Sequence, residues 1–375
     1  MKVLHLHSAF DPGGKELRAV RLMNLFGPGV SHTVVSAQAG ATGAAARIDK
    51  AIPVSFPQAF PRLAGRPGLG RFQRIARAMA GHDLLLSYNW GAMDAVMAHT
   101  LFGQAFGLSP LVHHEDGFNE DEAGGLMRRR NWYRRVALGR TSALVVPSRP
   151  LEEIALGPWA QPAWRVKRII NGVRVEDYGG KPRADAVPRV VKQRGERWLG
   201  TIAGLRAVKN LPRLVRAFRG LPDEWQLVIL GDGPERNAIR DEAHRLGVGH
   251  RVHLPGFVPR PAAVIGLFDL FALSSDSEQF PLSVLEAMAA GLAVAAPAVG
   301  DVAAMVAPEN ARFITPPGNE DALASALAAL AADPALRAQV GDANRARARA
   351  EYGEAAMVAA YRRVYADALG RPDFP

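Results

Sequence analysis

Short apolar runs alternate along the chain with stretches in which apolar positions recur every three or four residues. Runs at 3–7, 32–36, 83–87, 110–113 and 143–147 predict strands, and the stretches at 15–26, 92–102 and 126–138 predict helices between them. Near residue 180 the pattern gives way to Gly179-Gly180-Lys181-Pro182 and a polar stretch up to residue 196, which predicts a linker. It then restarts, with strands predicted at 198–203, 226–230, 251–254, 270–273 and 292–296 and helices at 211–219, 235–246 and 282–290. Residues 320–369 are rich in alanine, the best helix former, and predict a helical tail. Strands alternating with helices in two successive halves predict an α/β protein with two parallel sheets.

The 375 residues suit two domains better than one core, and 48% hydrophobic with 22% charged residues is ordinary for a globular chain. No cysteine is present, so disulfides and thiolate metal sites are excluded, which fits a reducing, cytoplasmic setting. The first residues lack the charged, apolar and small-residue succession of a signal peptide, so none is expected. Apolar runs such as 287–298 are too short for a membrane-spanning helix.

Charge changes the picture more. Residues 1–190 hold 25 Lys and Arg against 15 Asp and Glu, whereas residues 191–375 hold 21 of each, so the net +10 belongs to the first half. A basic half suits phosphorylated or anionic partners, while the neutral half and 7% aromatic content argue against a nucleic-acid coat protein.

Three constellations could carry chemistry. Gly13-Gly14 follow the first predicted strand and open a helix. Glycines there allow close backbone approach, and a helix start offers unpaired amides to phosphate, although such glycines also make ordinary turns. Arg206 and Lys209 follow the first strand of the second half, where open α/β sheets bind ligands, and both cations suit a diphosphate. The third runs from Ser274 through Glu278, Phe280, Pro281, Leu282 and Ser283 to Glu286 and Gly291. It places one carboxylate in a loop and a second, eight positions later, inside an otherwise apolar helix. A carboxylate there needs hydrogen-bond donors, which a ribose diol supplies.

This last stretch resembles the Glu-x7-Glu signature of the retaining GT-B glycosyltransferases of family 4, the group 1 glycosyltransferases. The resemblance extends to Gly13-Gly14-Lys15-Glu16, Asn171-Gly172-Val173, Lys209-Asn210, Gly231-Asp232-Gly233-Pro234, Leu254-Pro255-Gly256-Phe257 and the last helix. It implies two Rossmann-like domains facing each other across a donor cleft, with boundaries at 1–185 and 186–350 and a helix at 351–375 that returns to the first domain. It implies that Glu286 holds the donor ribose and Glu278 contacts the transferred sugar. Backbone amides near Phe280, Pro281, Leu282 and Ser283 would surround sugar hydroxyls and phosphate. Lys209, with Arg206, would neutralise the diphosphate, Gly14 would offer it an amide, and Gly231 and Gly233 would shape the nucleotide pocket floor.

Two departures stand out. Ala203-Gly204-Leu205-Arg206 replaces the usual Gly-Arg-Leu, displacing the arginine by two positions, and Gln279 replaces a glycine. The family places a histidine near the transferred sugar; alignment from Pro110 selects His114 and alignment from Gly117 selects His113.

The implied reaction moves a sugar from a UDP- or GDP-sugar to a glycan or lipid-linked acceptor, with retention and with no metal or cofactor. The acidic run Glu120-Asp121-Glu122 reads as a solvated loop rather than a metal site. The segment 127–135 combines five arginines with two aromatic residues, and Arg71, Arg74 and Arg77 add a second stripe. Together they suggest an anionic membrane surface as a partner, hence peripheral association at the inner face. Competing expectations are a sugar-nucleotide 2-epimerase, a phosphorylase on the same fold, or a non-catalytic sugar-nucleotide-binding subunit.

Overall fold

The computed structural model describes residues 1–118, 122 and 125–375; Glu120 and Asp121 of the acidic run lie outside them. The chain forms two compact units, one of Met1–Ile170 with Met357–Pro375 and the other of Asn171–Ala356.

In the first unit, strands β1 (Lys2–His7), β2 (Ser31–Ser36), β3 (Val54–Ser55), β4 (Leu84–Tyr88), β5 (Leu111–His114), β6 (Ala143–Val146) and β7 (Val166–Arg168) alternate with helices. These are α1 (Gly14–Phe26), α2 (Leu69–Met79), α3 (Met93–Phe102), α4 (Arg128–Ala137) and α5 (Arg149–Leu156). The sheet is parallel, in the order β3-β2-β1-β4-β5-β6-β7. Both faces of a parallel sheet are covered by helices, so its central strands are continuously apolar. Every residue of β4 and β5 is accordingly buried.

In the second unit, strands β8 (Arg197–Ile202), β9 (Trp225–Leu230), β10 (Val252–Gly256), β11 (Leu270–Ala272), β12 (Val294–Pro297) and β13 (Ile314–Thr315) make a parallel sheet in the order β10-β9-β8-β11-β12-β13. Its helices are α6 (Leu211–Phe218), α7 (Arg236–Arg245), α8 (Leu282–Ala289), α9 (Val302–Met305), α10 (Glu320–Ala332) and α11 (Pro334–Glu351). The amphipathic spacing of α6 buries Leu211, Leu214, Val215 and Phe218 against Leu227 and Ile229 of β9. The polar stretch before β8 is held within this unit: Lys192 donates to the Leu267 carbonyl and pairs with Asp269 at 2.6 Å.

The alanine-rich tail is three helices. Asp333 breaks it by capping α11, its side chain accepting from the Leu336 amide at 2.9 Å. A cap of this kind stabilises a helix by about 1 kcal/mol. The last helix, α12 (Glu354–Leu369), places Met357, Tyr361, Val364 and Tyr365 in the first unit's core beside Leu22 and Phe26 of α1 and Leu86 of β4. The three short edge strands β3, β7 and β13 were not expected from the apolar pattern, because two or three residues carry no periodicity.

Candidate functional site

The two sheets share one property: the strand order reverses beside the first strand, between β1 and β4 in one and between β8 and β11 in the other. Loops leaving neighbouring strands on opposite sides of such a point open a crevice at the carboxyl ends. The loops after β8 and β11 are joined there: the Asp276 amide donates to the Val208 carbonyl at 2.9 Å, and Ser274 Oγ to the Lys209 carbonyl at 2.9 Å.

Gly231 and Gly233 lie in the next loop, with φ of 150° and 155°. A Cβ on Gly231 would sit 1.8 Å from the Ala203 carbonyl oxygen, and one on Gly233 2.5 Å from that of Leu205. Only glycine lets the loop after β9 lie against the loop after β8. The Leu205 amide donates to the Asp232 carbonyl at 3.0 Å across this junction.

On that platform Lys209 Nζ lies 2.5 Å from Glu278 Oε1, which also accepts from Ser275 Oγ at 2.7 Å. Arg213 pairs with Asp276 at 2.6 Å, steadying the same loop. Arg206 is exposed and has no ion-pair partner among the described residues. Phe280 is buried on Tyr352 with ring centroids 5.7 Å apart, and its carbonyl accepts from Asn171 Nδ2 at 3.2 Å. Pro281 is the N-cap of α8, so the amides of Leu282 and Ser283 open the helix without intrahelical partners. Glu286 lies one turn further in, one carboxylate oxygen 3.0 Å from the Tyr178 hydroxyl. Burial raises its carboxyl to about 7, only partly offset by the Tyr178 hydrogen bond.

The second unit thus assembles Lys209, Glu278, Phe280, Pro281, Leu282, Ser283, Glu286, Gly231 and Gly233 around the ends of β8, β9 and β11, with Arg206 on the adjoining loop. The arrangement offers two cations, two carboxylates and a helix start, which is suited to a polyhydroxylated anion. Tyr178 was missed by sequence reasoning. It lies 108 positions before Glu286, and no local pattern links the two.

In the first unit Gly13 is the N-cap of α1 and Gly14 its first residue, just beyond β1. His113 and His114 end β5 and are both buried. His114 Nδ1 lies 3.2 Å from the Ser87 carbonyl and Nε2 3.0 Å from the Tyr365 hydroxyl. A carbonyl only accepts, so Nδ1 carries the proton and Tyr365 donates to Nε2. Burial and the nearby Arg18 charge lower this imidazole to about 3, keeping it neutral. His113 Nδ1 bonds Ser87 Oγ at 2.8 Å, and its Nε2 lies 3.7 Å from Glu115.

Sequence reasoning also missed the pair beside them. Arg18 of α1 grips Asp116 through two bonds of 2.5 and 2.8 Å, and Asn89 Oδ1 accepts from the Asp116 amide at 2.8 Å. Both partners are largely buried, and the Arg18 charge holds the Asp116 carboxyl below its ordinary range despite desolvation.

The basic segment is less exposed than its composition suggests. Arg134 is fully buried, paired with Glu115 at 3.3 Å and Glu122 at 3.1 Å, and enclosed by Trp90, Phe118 and Trp159. Arg130 also pairs with Glu122, at 2.9 Å, and Arg71 with Asp94 at 2.6 Å. Arg128, Arg129 and Arg135 remain exposed, beside Trp132 at 64% exposure.

Comparisons with known proteins bear on the second unit most directly. Residues 184–347 match the family model described as glycosyl transferases group 1. This region carries a glycosyltransferase domain.

The chain is 28% identical over 176 residues to N-acetyl-alpha-D-glucosaminyl L-malate synthase of Bacillus anthracis, covering 46% of each protein. It is 36% identical over 164 residues to a D-inositol 3-phosphate glycosyltransferase of Xylanimonas cellulosilytica, covering 42% of this chain and 39% of that one. The chain thus matches less than half the length of these curated relatives. Among solved structures, Anabaena HepE in complex with UDP and glucose superposes with a TM-score of 0.79 at 21% identity. That likeness covers 96% of this chain and 97% of the other. The fold is therefore that of GT-B glycosyltransferases, with two Rossmann-like parallel-sheet domains. No helix among the described residues is long and apolar enough to cross a membrane.

Proposed function

We propose that this protein is a retaining, metal-independent glycosyltransferase of family 4 that moves a sugar from a nucleoside diphosphate sugar to a glycan or lipid-linked acceptor. One observation carries the reading: Lys209 pairs with Glu278 at the switch point of a sheet whose sequence matches a glycosyltransferase domain, with Glu286 inside the helix that follows. Glu286 would bind the ribose, and Glu278 and the first amides of α8 the sugar and distal phosphate. The bond from the anomeric carbon to the diphosphate breaks as a bond to the acceptor oxygen forms on the same face. The acceptor proton then passes to the departing phosphate oxygen. Charge builds on that phosphate in the transition state, so Lys209, Arg206 and the first amides of α8 would stabilise it more than the ground state. In the structure Lys209 is held by Glu278, so the ammonium is placed before a donor arrives.

In this reading His114, neutral and bonded through both nitrogens, positions the end of β5 rather than exchanging protons. The exposed face of α4, with Arg128, Arg129, Arg135 and Trp132, supports contact with an anionic membrane surface, as a lipid-linked acceptor would require. HepE was solved with UDP, which favours a uridine donor as the first one to test.

The deciding experiment is hydrolysis of UDP-, GDP- and ADP-sugars without acceptor, in EDTA, by the wild type and Glu286→Ala. Turnover of one donor, lost in the variant, supports the transferase reading and names the donor. Donor binding with no turnover, even with lipid-linked acceptors, would establish a non-catalytic subunit instead. Epimerisation of the donor sugar without any acceptor would establish the 2-epimerase.

A further inference from the structure

The segment between Asn171 and Tyr178 touches the candidate donor site twice. Asn171 donates to the Phe280 carbonyl at 3.2 Å, fixing the loop before α8, and Tyr178 donates to Glu286 Oε1 at 3.0 Å, inside the helix. Gly172 makes this course possible, because a Cβ there would lie 2.9 Å from the Gly353 carbonyl oxygen. Val173 on the same stretch accepts from the Glu354 amide at 3.1 Å and donates to the Tyr352 carbonyl at 3.0 Å, so the brace is anchored independently of Glu286.

Tyr178 itself lies on a short 3-10 turn, Val175–Tyr178, with its ring buried. The second carboxylate oxygen of Glu286 has no partner among the described residues. A carboxylate with one oxygen held by a rigid phenol and the other open is oriented in the plane of its own C–O bonds. It can then accept one further hydroxyl in a fixed direction, with little rotamer freedom left to lose on binding.

We propose that Tyr178 is a positioning residue for Glu286, holding Oε1 so that the free oxygen receives a hydroxyl of the nucleotide sugar. This rests on the reading of the second unit as the donor domain. Burial drives the Tyr178 phenol well above its ordinary range, so it stays protonated and able to donate from about pH 6 to 9. Among neighbouring groups, Glu176 and Asp177 lie on the same turn, Asp177 facing Arg174 at 3.6 Å. Arg345 of α11 donates to the Ala290 carbonyl at 2.5 Å, and β12 carries no titratable residue. Only burial and the Tyr178 hydrogen bond move the Glu286 carboxyl, in opposite directions. Removing the phenol hydroxyl therefore raises that carboxyl further, shifting the pH at which it becomes a two-lone-pair acceptor upward.

The test is Tyr178→Phe, which keeps the ring and its packing, compared with wild type and Glu286→Ala by calorimetric donor binding and steady-state kinetics from pH 6 to 9. The expected result is a donor KM raised about tenfold at pH 7, in keeping with one hydrogen bond to a charged group. kcat should stay within about twofold, and the acid limb of donor binding should move to higher pH. Thermal melting of each variant, followed by circular dichroism, separates this from a structural role, which would lower the midpoint but leave the pH limb in place. Unchanged KM and pH limb in Tyr178→Phe, with binding lost in Glu286→Ala, would overturn the inference and leave the functional reading standing. Failure of the wild type to bind any nucleotide sugar would overturn both.

Discussion

The ammonium of Lys209 sits 2.5 Å from Glu278, at the carboxyl ends of β8 and β11, with both side chains largely shielded from water. The pair joins two loops whose residues are 69 positions apart. In the proposed mechanism the lysine is the main protein charge facing the leaving diphosphate. Lys209→Ala should therefore lower kcat for donor hydrolysis by about 100-fold or more, as loss of a charge-stabilising group does in other sites. Donor KM should rise much less. Glu278→Gln keeps the shape of the site and frees Lys209; it should reduce transfer while leaving nucleoside diphosphate binding, measured by calorimetry, close to wild type.

The Glu286 carboxyl, raised to about 7 by burial, ties stability to pH. Its folded value lies above the ordinary 4.5, so the folded state binds the extra proton between about pH 4.5 and 7. This group's contribution to stability is therefore full below that window and is lost as pH rises through it. Thermal melting of unliganded wild type against Glu286→Gln from pH 4 to 8 should show that slope in the wild type alone. Donor binding should run the other way, tightening as the carboxyl ionises towards pH 8.

Arg18 and Asp116 form a two-bond pair in the first unit, with side chains 6% and 13% exposed. Taking away one member leaves a charge in a desolvated place, which typically costs 3–5 kcal/mol; the partial exposure here argues for about 2–4. Asp116→Asn should lower the urea midpoint accordingly. The double variant Arg18→Met, Asp116→Asn should be more stable than Asp116→Asn alone, because the buried cation is removed together with the carboxylate it faces.

Gly231→Ala should be among the most disruptive single-methyl additions in the chain. Its Cβ would overlap the backbone oxygen of Ala203, and φ of 150° is unfavourable for alanine. A loss of more than about 3 kcal/mol, or failure to fold, is expected. Gly220→Ala, where no atom lies within 4 Å of the added methyl, should stay within about 1 kcal/mol of wild type in the same denaturation assay.

On α4 the exposed Arg128, Arg129 and Arg135 should each add about 1 kcal/mol to binding of anionic vesicles at low salt. Cosedimentation with phosphatidylglycerol vesicles should fall stepwise as they are replaced by alanine, and Trp132 fluorescence should shift to the blue on binding. Arg134 gives no such effect, since it is enclosed by protein. No sedimentation of wild type at low salt would remove the membrane from the proposal.

The order of elements was legible along the chain because periodicity and turn chemistry are local. A run such as 226–230 declares a buried parallel strand, and the spacing of Leu211, Leu214, Val215 and Phe218 declares one helical face. The eight-position separation of Glu278 and Glu286 likewise announced a loop carboxylate followed by a helical one. Asp333, a cap in the middle of the alanine-rich tail, carried a local signal for the break between α10 and α11 that an assignment by helix propensity passed over. The edge strands of two or three residues had no such signal, because their formation depends on the sheet beside them. Partner choice was also out of reach. Arg18 could have faced solvent but meets Asp116, 98 positions away; His114 meets Tyr365 at a separation of 251; and Arg134, one of five arginines in an apparently solvated segment, is drawn inside by Glu115 and Glu122. Tyr178, just before the predicted linker, carries no local signal until the fold brings it to Glu286. Hydrophobic patterning sets which face of each element turns inward, but the desolvation of a buried charge is satisfied only by whichever donor or acceptor the packed chain brings within about 3 Å, and that is decided by tertiary structure.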